Sequence, residues 1–228
     1  MKKRVGAVEA MWRRKLILIA YGLFTPLMIL GFGPQASATQ KSGDIIRAAN
    51  DHLTSISSFP RWTSMLQRHY SERGAVETSC DKAFFARCHL TDWMNFLGTL
   101  GQESPEIQLE RVNRFMNRAP YVRDQHNYLK ADYWATPRQF MSQFGDCEDY
   151  AIAKFFSLRT LGWKNEDLRI VVVETPPSGR RHAVLLAFAD GEAWVLDNQS
   201  DQVTPWSSVG KFKPIYAVNE FQAWLYRD

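Results

Sequence analysis

Cysteine is scarce in this chain. Its 228 residues include three, Cys80, Cys88 and Cys147, too few for a dense disulfide framework. No internal repeat, low-complexity tract or linker divides the sequence, which excludes a solenoid and gives no sign of a second domain. No stretch has the ligand spacing of an EF-hand loop. Excess charge is also missing once the N-terminus is set aside. Residues 1–38 carry six Lys/Arg and one acid, Glu9, while the whole chain is +4. The remaining residues hold 22 basic and 23 acidic side chains, a net of −1. The basic pI therefore belongs to the leader and argues for no nucleic-acid partner.

What is present begins with that leader. Lys2, Lys3, Arg4, Arg13, Arg14 and Lys15 form a basic start, and an apolar run follows from Leu16 to Phe32. Ala36-Ser37-Ala38 then supplies the small-x-small pattern of a signal-peptidase site. Cleavage there, or retention of the run as a membrane anchor, both place residues 39–228 outside the cytoplasm, in the periplasm. Those roughly 190 residues suffice for one domain with its own core. Export also permits a Cys80–Cys88 disulfide. Whether the two are bridged or free is open from sequence, since a bridge needs Cα atoms within about 7 Å. If they pair, Cys147 is the thiol left over.

The first half has helical periods. One runs from Asp44 to Ser57, a second starts at Pro60, and a third spans Asp81 to Leu100. Ser104-Pro105 and Thr136-Pro137 each read as an N-cap followed by proline at the first helical position. A loop rich in Tyr, Asn and Asp joins them from Ala119 to Ala135. Gly145 is expected to break the chain sharply, and a further helix runs from Asp146 or Cys147 to Leu161, closed by Gly162. Beyond it the pattern turns to strands: Leu168–Val173, His182–Ala189, Ala193–Leu196 and Ile215–Val218. Pro176-Pro177-Ser178-Gly179 is a turn, Asp190-Gly191 a hairpin, and Phe221, Trp224 and Leu225 are expected to close the core. Helices first and an antiparallel sheet afterwards predict an α+β fold.

The chemistry concentrates in Gly145-Asp146-Cys147-Glu148-Asp149-Tyr150. A cysteine at a helix N-terminus feels the positive end of the backbone dipole, which favours the thiolate that attacks carbonyls. Its own N–H has no intrahelical partner and suits half of an oxyanion hole. A buried, inert cysteine is the common alternative, but three flanking acids make burial costly. His182, starting an apolar strand, is the candidate base, and Asp197, ending the next, the candidate orienting group. The segments are joined by the Asp190-Gly191 turn, so a hairpin brings them together. His52, His69, His89 and His126 read as structural or surface groups.

The acids pose a problem, because negative charge opposes thiol ionisation and a helix dipole of about half a charge cannot offset three carboxylates. Asp146, Glu148 and Asp149 either hold a hard cation such as Ca²⁺ or simply cap the helix and complement its dipole. Chemistry alone leaves both open. Asn127, Asp132 and Tyr133 are the further oxygen donors that the preceding loop offers.

The stretch Asp132-Tyr133-Trp134-Ala135-Thr136-Pro137, then Gly145 through Lys154, then His182 and Leu196-Asp197-Asn198, resembles the bacterial transglutaminase-like cysteine proteases of the LapG type. The resemblance covers most of residues 39–228 with no departure at Cys147, His182 or Asp197. It implies a papain-like or transglutaminase-like fold, a Cys147–His182–Asp197 triad, and Ca²⁺ on the acids beside Cys147. It further implies a large surface adhesin as substrate, cut near its N-terminus at a small-residue site such as Ala-Ala, with release from the surface and biofilm dispersal. The implied regulator is a LapD-type inner-membrane cyclic-di-GMP receptor that sequesters the protease. A transglutaminase or peptidoglycan amidase with the same triad, and a non-catalytic calcium-dependent binding module, are the competing readings.

Overall fold

The computed structural model describes residues 53–72 and 89–226. The leader (1–38), Cys80 and Cys88, and the expected helix up to His52 lie outside these residues. Helices come first. Helix α1 is Pro60–Glu72 and α2 is His89–Gly98, the described part of the expected third helix. Helix α3, Pro105–Asn117, starts where the cap signal put it, with the Ser104 hydroxyl accepting from the Ile107 N–H. Helix α4 is a single turn, Asp124–Asn127, inside the expected loop. Helix α5, Pro137–Gln143, opens on a capping box. Thr136 accepts from the Gln139 N–H and the Gln139 side chain accepts from the Thr136 N–H.

Helix α6, Cys147–Thr160, is the centre of the molecule. Every residue from Asp149 to Leu158 is buried, as expected of a helix covered on all sides. It packs on α3, α5 and the sheet. Its C-terminus is a Schellman motif: the Gly162 N–H bonds to Arg159 O at 3.1 Å and the Trp163 N–H to Leu158 O at 3.0 Å. Gly162 sits at φ +96°, where a side chain is strained.

Seven strands form one antiparallel sheet, ordered β1-β7-β6-β2-β3-β4-β5. They are β1 Leu53–Thr54, β2 Leu168–Thr175, β3 Arg180–Ala189, β4 Glu192–Leu196, β5 Thr204–Pro205, β6 Lys213–Val218 and β7 Ala223–Leu225. Side chains alternate across it. Ile170, Val172, Ala183, Leu185 and Ala187 join the helices in the larger core. Val171, Val173, Val184, Leu186 and Val195 pack with Trp206, Trp224 and Phe212 in a second cluster. Burial on both faces explains why Ile170–Val173 of β2 reads as an unbroken apolar run. Asp190 (φ +50°) and Gly191 (φ +81°) make the β3–β4 hairpin turn.

Three expectations are corrected. Residues 53–57 do not continue a helix: Leu53 and Thr54 pair with Trp224 and Ala223, and Ile56–Ser58 is a 3₁₀ turn. Pairing with the free edge of β7 overrides a local helical period. Phe221 does not close the core and is 69 % exposed, whereas Trp224 is buried. The sharp turn before Cys147 falls at Phe144, at φ +61°, rather than at Gly145. Among the described residues no helix is long and apolar enough to cross a membrane.

Candidate active site

Gly145 is needed for a different reason. A Cβ there would stand 2.0 Å from Asp149 Oδ2 and 2.6 Å from Asp149 Cβ. The fully buried Asp149 carboxylate accepts from the Ala135 N–H at 2.7 Å and from the Asp146 N–H at 3.1 Å. It thereby staples the residues before α6 to the first turn of α6. Gly145 O also accepts from the Val122 N–H at 2.9 Å, tying in the 119–135 segment. The result places Cys147 as the first residue of α6, half-buried and unbridged.

His182 lies on β3 and Asp197 just beyond β4. Leu185 faces Leu196 in the ladder, so Asp197 falls diagonally across from His182. Both are buried, and His182 Nε2 lies 2.8 Å from Asp197 Oδ1. The same oxygen accepts from the Gln199 N–H at 2.9 Å. Burial pushes the Asp197 carboxyl up, but the His182 hydrogen bond, the Gln199 amide and the nearby Lys154 outweigh it and hold it below the usual carboxylate range. With Nε2 committed to Asp197, Nδ1 is the ring nitrogen left for proton transfer. The backbone N–H of Ala183, the residue after His182, acts on the Cys147 sulfur and favours its thiolate. Its own S–H donates to Glu148 Oε2 at 3.1 Å rather than to the imidazole.

That hydrogen bond belongs to a crowded acid cluster. Burial drives the Cys147 thiol upward, and the charges of Glu148 and Asp146 and the Glu148 hydrogen bond add to it, so the thiol stays protonated. Burial, then a hydrogen bond and charge from Asp146, push Glu148 up to about 10. Asp149 is likewise raised, mainly by burial. Oxygens of Asp124, Asp146 and Asp149 lie within 4.8 Å of one another, as do those of Asp124, Asp132 and Glu148. Asp124 Oδ1 and Asp146 Oδ1 are buried without a hydrogen-bond partner. Orphaned buried carboxylate oxygens are costly, and an all-oxygen set of this charge fits a hard divalent cation, Ca²⁺ above all.

The structure thus draws Asp146, Glu148 and Asp149 into one cluster, with Asp149 already engaged by two backbone donors. Of the loop candidates, Asp132 joins the cluster while pairing with Arg61 at 3.2 Å. Asn127 donates its side-chain amide to Gln143 O at 3.0 Å and Phe144 O at 3.3 Å, which ties the loop to the end of α5. The Tyr133 backbone N–H donates to Asp124 Oδ2. Asp124 was not among the expected donors. It is 2 % exposed and burial raises its carboxyl to about 6. Its only sequence signal is an acid in a polar loop. His126 is exposed, and His69 and His89 pack against Phe156 and Phe144.

A central helix carrying a cysteine at its N-terminus, beside a hydrogen-bonded His–Asp pair on an antiparallel sheet, defines a papain-like or transglutaminase-like cysteine protease. Residues 78–225 match the family of bacterial transglutaminase-like cysteine proteinases (BTLCP), and the chain belongs to it. Solved structures of Legionella pneumophila LapG are similar. One shares 33 % identity over 60 % of this chain and 77 % of that one, with a TM-score of 0.55. The calcium-bound form shares 32 % identity over 61 % of this chain and 79 % of that one, TM-score 0.56. The EGTA-treated form shares 32 % over 61 % and 77 %, TM-score 0.56. No curated protein matches.

Proposed function

We propose that this chain is a calcium-dependent, exported cysteine endopeptidase in which Cys147 is the nucleophile, His182 the base and Asp197 its orienting partner. The observation that carries the reading is the meeting of three elements. The Cys147 sulfur at the start of α6 is acted on by the amide of Ala183, the residue after His182, and the His182 imidazole is bound to Asp197 at 2.8 Å. In the reaction the Cys147 sulfur attacks the scissile carbonyl while His182 takes the thiol proton on Nδ1. The carbonyl carbon becomes tetrahedral, with the Cys147 N–H at the helix N-terminus donating to its oxygen. His182 returns the proton to the leaving amine, and the acyl-enzyme is hydrolysed by water.

Asp124, Asp132, Asp146 and Glu148 are the residues that would hold Ca²⁺, with Asp149 beside them. When bound, Ca²⁺ supplies the positive charge that lets these carboxyls ionise together. Glu148 matters most to Cys147, because its carboxyl is both a charge beside the sulfur and the acceptor of its proton. The calcium-bound and EGTA-treated forms of the Legionella protein support the requirement. The family resemblance supports a finer reading: periplasmic location, a large surface adhesin cut near its N-terminus at an Ala-Ala-like site, and sequestration by a LapD-type cyclic-di-GMP receptor.

The test is incubation of residues 39–228 with the N-terminal region of a large adhesin from the same genome, with Ca²⁺, with EGTA, and with Cys147→Ala. Cleavage is expected only with Ca²⁺ and intact Cys147. Undiminished cleavage in EGTA rejects the calcium requirement, and cleavage by Cys147→Ala rejects the nucleophile.

A further inference from the structure

Lys154 is the one charged side chain within the apolar run Ala151–Phe156 of α6. It is wholly buried, and its Nζ has no hydrogen-bond partner among the described residues. Seven residues separate it from Cys147, two helical turns, so both leave the same side of α6. Its ammonium lies 5.9 Å from the Tyr150 ring centroid on its own helix. The opposite charges that act on it are Asp197 and Asp201, from the turn after β4. That turn is pinned from α3 as well. Asn117 donates to Asp197 O at 3.0 Å and to Ser200 O at 2.9 Å, and Asn113 donates to Ser200 O at 2.8 Å.

A buried amine without a hydrogen bond is costly. A methionine would fill the same space without that cost, so packing alone does not account for Lys154. What opposes the burial penalty is attraction to the two aspartates, and the attraction is mutual. Asp197 is the partner of His182. The titratable groups that act on the Asp197 carboxylate are His182 from β3 and Lys154 from α6; Asn117, from α3, is neutral and holds only its backbone oxygen.

We propose that Lys154 is a positioning residue for this site: its buried ammonium keeps the Asp197 carboxylate charged and in place from the helix side, and so sets the ring of His182. The proposal rests on the catalytic reading of Cys147, His182 and Asp197 given above. Asp197 is held below its usual range with Lys154 among the causes. Burial lowers Lys154 to about 7 against the pull of Asp197 and Asp201, so its ammonium acts on Asp197 below that pH.

Lys154→Met, which keeps the stem and removes the charge, tests this through three readouts. Its thermal midpoint should equal or exceed that of the wild type. The ring N–H resonance of His182, followed by ¹H–¹⁵N NMR in the absence of substrate, should move upfield or broaden, and its acid-side transition should shift to higher pH. The kcat on the adhesin fragment should fall roughly tenfold or more with KM unchanged. A wild-type imidazole resonance and pH dependence in Lys154→Met overturns the proposal. So does an activity loss that merely follows a lowered thermal midpoint. Cleavage that survives Cys147→Ala and Asp197→Asn sinks the catalytic reading instead, and the NMR signal still decides whether Lys154 sets His182.

Discussion

Gly145→Ala should destabilise the protein by about 3–5 kcal/mol. The added Cβ would overlap Asp149 at 2.0 Å from Oδ2, 2.6 Å from Cβ and 2.7 Å from Cγ. Rotating the carboxylate removes only part of this clash, since Asp149 Cβ is held by the backbone of α6. Moving Asp149 away strips acceptors from the Ala135 and Asp146 N–H groups. Buried donors left unpaired cost about 1–3 kcal/mol each. Two such losses give the figure. The assay is urea unfolding followed by circular dichroism at neutral pH. Gly98→Ala is the control: at the end of α2, with nothing within 4 Å of the new Cβ, it should change stability by no more than about 1 kcal/mol, in the stabilising direction. A Gly145→Ala protein within about 1 kcal/mol of wild type would refute the claim that the Asp149 staple is what demands glycine.

Two further outcomes follow from the site. Asp124→Asn should weaken Ca²⁺ binding roughly tenfold or more, because one charged oxygen ligand is lost; calorimetric titration showing an unchanged Kd would remove Asp124 from the cluster's metal-binding set. Asp197 has a folded-state carboxyl below its ordinary range, so its charged form stabilises the fold. That contribution is complete above about pH 4 and disappears as pH falls through the lower folded value. Asp197→Asn should therefore be less stable than wild type near pH 6.5, with the gap narrowing as pH falls below about 4 towards the lower folded-state value. A gap of constant size in urea titrations across that range would show that the charge is not its source.

Much of the fold was legible in the sequence because its signals act within a few residues. Ser104-Pro105 and Thr136-Pro137 began helices where expected, Gly162 ended α6, and Asp190-Gly191 closed a hairpin. The local surroundings of Cys147, His182 and Asp197 were likewise legible, as a helix start and two strand ends. The acids beside Cys147 announced a charge problem that chemistry alone left open. Asp124 was missed because no local pattern separates a buried aspartate from a surface one in a polar loop. Gly145 was noticed for the wrong reason: its neighbour Phe144 makes the turn, and the need for glycine arises from a carboxylate that folds back onto it.

By itself, then, the sequence determined the order of helices and strands, the helix start under Cys147 and the chemical types at the site. Caps, turns and strand periods are near-neighbour effects, and the chain carries them before it folds. Only the tertiary structure decided that Leu53 and Thr54 join β7, that Asp124 enters the acid cluster, that the Cys147 thiol donates to Glu148, and that Lys154 is buried opposite Asp197. These depend on burial and on contacts between distant segments, and a carboxyl or an amine acquires its charge behaviour from the place it occupies, not from its residue type.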